Sequence, residues 1–91
     1  MILVVTWSDE ARQNYFSILE YLQKRWTKKE IEAFNNKLEK TILNIAQFPN
    51  MYPHSEFLGY KRAVITKQTS LVYNVKATEI EIIALWDNRK E

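Results

Sequence analysis

The hydrophobic pattern along the chain changes period several times, and each change predicts an element. Ile2 to Thr6 is an unbroken β-branched and apolar run, too short for a helix and suited to a packed pleated surface, so it predicts a buried first strand. Ser8-Asp9-Glu10 follows, with an N-cap oxygen and two acids for the first turn, where the positive end of a helix dipole favours them. The predicted helix carries Ala11, Tyr15, Ile18, Leu22 and Trp26 on one stripe, with Arg12, Gln13, Glu20, Gln23 and Lys24 off it. Trp7, just before the cap, stands where a hydrophobic staple would be. Thr27-Lys28-Lys29-Glu30 has the capping-box form, so a second helix starts at once without an intervening glycine. Its stripe is Ile31, Phe34, Leu38, Ile42 and Ile45, and Pro49 ends it near Phe48 because the residue before a proline avoids helical geometry. Two helices of roughly 30 Å joined so closely are expected to pack as an antiparallel hairpin.

Beyond the helices the period falls to two. Pro49 to Glu56 reads as a loop from its two prolines and polar content, and Gly59, the single glycine, is expected in a backbone conformation that other residues avoid. Tyr60 to Thr66, Thr69 to Lys76 and Glu79 to Trp86 read as three strands joined by short turns at Lys67-Gln68 and Ala77-Thr78, an antiparallel meander. Strict alternation puts Leu71, Tyr73 and Val75 on one face, and likewise Ile80, Ile82, Ala84 and Trp86. These faces are expected to meet the helices. The fold class is therefore α+β, in the order β-α-α-β-β-β, with a helical hairpin on one face of a small, mostly antiparallel sheet.

Composition narrows the picture. The 91 residues suffice for one domain, residues 1–91, and are too few for two separate cores. Apolar residues at 46% and aromatics at 13% exclude the disordered classes. The absence of cysteine removes disulfides, zinc–thiolate sites and thiol nucleophiles, and fits a cytoplasmic protein. The amino-terminal apolar run is too short for a signal segment, and no run approaches the roughly 20 residues of a membrane span. A net charge of +2 supports no general claim about nucleic acid, but no acid falls between Glu56 and Glu79, while Lys61, Arg62, Lys67 and Lys76 do. That stretch reads equally as a solvated strand face or as a binding patch.

Most enzyme chemistries fail on inventory. The only histidine is His54, no serine sits in a Gly-x-Ser-x-Gly elbow, and one glycine cannot build a phosphate loop, so hydrolytic triads, His-centred metal sites and cofactor cradles are all unsupported. What remains is a polar set on the later strands: Lys61, Arg62, Lys67, Lys76, Asn74, Asp87, Asn88 and Arg89, with His54 before them. Cations of this kind stabilise the charge that grows on a scissile phosphate, and a proton carrier among them would make an RNA-cutting site. Lys67 and Lys76, beside turns, also read as solvated charge, Arg62 and Arg89 as charges that protect a sheet edge, and His54 as an exposed loop residue. The aromatics Tyr15, Trp26, Phe34, Tyr73 and Trp86 fall at core spacings.

The ordered set Val5-x-Trp7-Ser8-x-x-Ala11, Ile18-x-x-Tyr21-Leu22, Ile45-x-x-Phe48-Pro49, Arg62, Leu71-Val72-Tyr73-x-Val75 and Ile80-x-Ile82-x-x-Leu85-Trp86-Asp87-x-Arg89 resembles the RelE/ParE superfamily of bacterial toxins, over nearly the whole chain. The resemblance implies a cofactor-free toxin bound in a hetero-oligomer by a cognate antitoxin, whose tail lies over the helices and sheet. It implies one of two targets: ribosome-bound messenger RNA in the RelE-like branch, DNA gyrase in the ParE-like branch. Arg89 matches the family's terminal arginine, and Lys61 or Arg62 the base that opens the meander. The RelE-like ribonucleases usually place an arginine just before Leu-Val-Tyr, where Ser70 stands here, and a tyrosine or histidine beyond the last strand, where Asp87-Asn88 stands. The expectation is therefore a ParE-like growth inhibitor with Lys61, Arg62, Lys67 and Arg89 as target-binding residues and Trp86 packed beneath Arg89. The alternatives are a ribonuclease using Arg62, Arg89, His54 and Asp87, and a non-toxic binding module of the same fold.

Overall fold

The computed structural model of the chain describes residues 3–53 and 59–88. Elements follow in the expected order: β1 Val4–Trp7, α1 Asp9–Arg25, α2 Lys28–Gln47, β2 Lys61–Val64, β3 Thr69–Val75 and β4 Glu79–Asp87. The four strands form one sheet in the order β1-β4-β3-β2, with β1 parallel to β4 and the other neighbours antiparallel. The first strand therefore lies beside the last. Edge placement also corrects the expectation of a buried first strand, because only one side of β1 meets the core and Val4 is 65% exposed.

Both predicted helix starts are present. Ser8 caps α1 by accepting from the Ala11 N–H at 3.0 Å, and Thr27 and Glu30 form the capping box that opens α2. Glu30 takes the Thr27 N–H at 3.0 Å and the Thr27 hydroxyl as well; that hydroxyl first, then neighbouring backbone, holds the Glu30 carboxyl below its ordinary range. The stripes of both helices reach the sheet, where Ala11, Phe34, Leu38 and Ile45 join Ala63, Ile65, Leu71, Tyr73, Ile80, Ile82 and Leu85 in one core. Trp26 does not follow its stripe inward. It is the extended residue that caps α1, and it is 53% exposed. Trp7 packs edge-on against Tyr15, at 5.9 Å between rings, a turn farther along α1 than a staple would reach. Gly59 has φ +71°, as expected of the lone glycine.

One irregularity decides which residues of β4 face the helices. Val72 is opposite Ala84 and Tyr73 is opposite Ile82, so Ile83 is an extra residue in β4. Beyond this bulge the alternation inverts, and Leu85 enters the core instead of Ala84 and Trp86. The bulge lies just where β1 ends, so the edge of β4 beyond it lacks a strand to pair with. Two side chains of the α1 entry take its place. The Ser8 hydroxyl donates to the Ile83 carbonyl at 2.7 Å while accepting from Ala11, and the Asn14 side-chain oxygen accepts from the Leu85 N–H at 3.1 Å. Ser8→Ala removes a cap and orphans a carbonyl in one step, and is expected to cost about 2–3 kcal/mol in urea denaturation, at or above the upper end for a cap alone.

Tyr73 is wholly buried in β3, and its hydroxyl donates to the Pro49 carbonyl at 2.9 Å, tying the start of the α2–β2 linker to the sheet. Burial, with a smaller contribution from nearby Tyr52, pushes this phenol up to about 12. Its folded pKa exceeds its unfolded one, so its contribution is complete below pH ~10 and is lost as pH rises towards 12. Stability measured from pH 9 to 12 should fall more steeply in the wild type than in Tyr73→Phe, which has no proton to lose there.

Candidate partner-binding groove and arginine network

The meander puts Arg62, Ser70 and Trp86 on the sheet face opposite the helices, because Ala63, Leu71 and Leu85 take the core side. Ser70 is fully buried there, and its hydroxyl accepts from Arg62 Nε at 3.1 Å and donates to Asn88 Oδ1 at 2.6 Å. Asn88 Oδ1 also accepts from Arg62 Nη2 at 2.6 Å, closing a ring of three side chains contributed by β2, β3 and the residue that follows β4. The guanidinium lies 5.3 Å over the Trp86 ring. Trp86 thus supports Arg62. Its expected place beneath Arg89 lies outside the described residues, as do Arg89 and His54 themselves.

The other candidates separate. Lys61 Nζ donates to the Tyr52 carbonyl at 3.1 Å, which fastens the linker to β2. Lys67 is exposed in the β2–β3 turn and gives its carbonyl to Asn88 Nδ2 at 3.2 Å. Lys76 is paired with Glu81 at 3.2 Å. Asp87 sits opposite Thr69 on the helix side of the sheet, so Arg62 and Asp87, two members of the expected catalytic set, point to different faces. Ser70 and Asn88, the hubs of the network, are absent from that set, although the departure of Ser70 from the ribonuclease pattern was the available signal.

On the helix side, α1, the first half of α2, the start of β3 and the end of β4 line a groove of ≈ 700 Å³. Ile18, Leu22, Phe34 and Leu85 are among its apolar lining, and Asn14, Glu30, Lys37, Gln68 and Asp87 are among its polar lining. Trp26 and Tyr21, 53% and 40% exposed, stand at its open side, with Arg25 4.9 Å over the Tyr21 ring. An apolar floor, a polar rim and exposed aromatics are the makings of a protein-docking site. Spacing hides this in the sequence, because Trp26 continues the stripe of α1 one residue past the last helical turn.

Comparison with known proteins agrees with this architecture. The family described as ParE toxin of type II toxin-antitoxin system, parDE, matches residues 5–91, and the chain belongs to that family. Among solved structures it is similar to a chain of the chromosomal ParDE system from P. aeruginosa, with TM-score 0.78 and 16% identity over 94% of this chain and 96% of that one. It is also similar to the YoeB/ParE toxin from Agrobacterium tumefaciens, with TM-score 0.65 and 19% identity over 94% and 99%. A chain of the E. coli DinJ-YafQ toxin-antitoxin complex follows, with TM-score 0.62 and 13% identity over 98% and 96%. At these identities the likeness is one of fold. No curated protein matches the sequence. Among the described residues no helix is long and apolar enough to cross a membrane.

Proposed function

We propose that this chain is a ParE-type growth inhibitor that acts on DNA gyrase in the cytoplasm and is neutralised by a cognate antitoxin seated in the groove beside Trp26. One observation carries the choice of target: the Arg62 guanidinium is engaged by Ser70, Asn88 and Trp86, and Ser70 occupies the position from which RelE-like enzymes usually present a further arginine. A cation held in this way is poorly placed to follow the charge that develops on a scissile phosphate. Asp87 faces the opposite side, and Glu30 and Tyr73, whose titration is displaced, are both moved away from neutrality. General acid–base work favours the reverse.

The antitoxin reading rests on the family and on the groove, whose apolar floor and exposed aromatics suit an amphipathic segment of a partner protein. Induced expression with parallel sampling of plasmid supercoiling and of labelled amino-acid incorporation tests the target. Supercoiling is expected to change first, and purified protein is expected to inhibit gyrase on relaxed plasmid. Prior arrest of translation with cleaved messenger would establish the ribonuclease reading instead, and unimpaired growth the non-toxic one.

A further inference from the structure

Asn88 makes more contacts than its place just after β4 requires. Besides accepting from Arg62 and Ser70, it donates through Nδ2 to the Lys67 carbonyl at 3.2 Å, and at 3.5 Å to that of Thr66, while its backbone N–H donates to the Gln68 carbonyl at 2.8 Å. The acceptor half of the amide thus holds the outer face of the sheet, and the donor half holds the 66–68 turn. Thr66 and Gln68 line the groove on the helix side, together with Asp87. Only an amide side chain offers an acceptor and two donors in this compass; an aspartate would keep the first set of contacts and lose the second.

We propose that Asn88 is a positioning residue that couples the two faces of the sheet, locking Arg62 on the outer face to the turn that rims the groove. Arg62 is joined to that turn through Asn88: it donates to Ser70 and to Asn88, and Ser70 is itself bonded to Asn88. Ser70 is buried, so the ring cannot relax by turning its hydroxyl to water. The consequence is preorganisation. With the latch closed the rim is set before a partner arrives, and a change at Arg62 is felt in the groove although the guanidinium lies on the other face.

Amide hydrogen exchange tests the coupling in the free protein, independently of what occupies the groove or which target is inhibited. The Thr69 amide, which bonds back to Thr66 within the turn, reports the rim, and the Leu38 amide in α2 reports global opening. Arg62→Met is expected to speed Thr69 exchange about tenfold while Leu38 is unchanged, and to have less than about twofold effect in an Asn88→Ala background. Equal effects of Arg62→Met in both backgrounds, or none in the first, would overturn the proposal. If Asn88→Ala does not fold, Asn88→Asp serves. It should preserve the indole N–H chemical shift of Trp86 through the retained Arg62 contact and still release Thr69, and a Thr69 amide that stays protected would refute the latch.

Discussion

Leu85→Asp is expected to unfold the domain, whereas Ala84→Asp, one residue earlier, is expected to leave it folded. Leu85 is 6% exposed within the core cluster, and truncating such a residue alone costs about 2–5 kcal/mol. A carboxylate left unpaired there adds several more. A domain of this length has a total stability of only about 5–14 kcal/mol. Ala84, beyond the bulge, lies on the outer face opposite Val72 and is partly exposed, so a charge there can reach water at a cost of about 1 kcal/mol. Circular dichroism melts of the two variants check the pair. A register without the extra residue at Ile83 would reverse the result, so the comparison tests the bulge directly.

Trp26→Ala is expected to separate binding from stability. Half of its surface is exposed at the groove, so the domain should lose little, about 1 kcal/mol or less. Aromatic residues in such positions commonly supply about 2 kcal/mol or more of a protein interface, and antitoxin affinity should fall about thirtyfold or more. Titration calorimetry with the cognate antitoxin measures the first effect, and thermal unfolding the second. A variant that binds as wild type would place the partner elsewhere on the surface. Toxicity without antitoxin should survive the change, because the groove is then empty in both proteins.

The two predictions mark where local pattern stops being informative. Period 3.6 in α1 and α2, the Ser8 and Thr27 caps, Pro49 and the period-two runs are local signals, and each placed its element to within a few residues. The bulge is different. Nothing in Glu79 to Trp86 announces that Ile83 is supernumerary, because the Ser8 and Asn14 side chains that satisfy the bulged strand lie about 70 residues upstream. The same holds for the site. Arg62 was visible as a cation on a strand, but its engagement by Ser70, Asn88 and Trp86 joins three strands through the register of the meander.

By itself, then, the sequence determined the element types, their order, the helical hairpin, the meander and most of the core, because caps, turns and periodicity act between residues close along the chain. Tertiary structure alone decided that β1 is an exposed edge paired with β4, that Leu85 and not Trp86 faces inward, that Trp26 stands at a groove, and that Asn88 ties Arg62 to its rim. Those outcomes depend on which distant backbone groups are left for side chains to satisfy once the strands have paired, and that is settled only when the whole sheet is assembled.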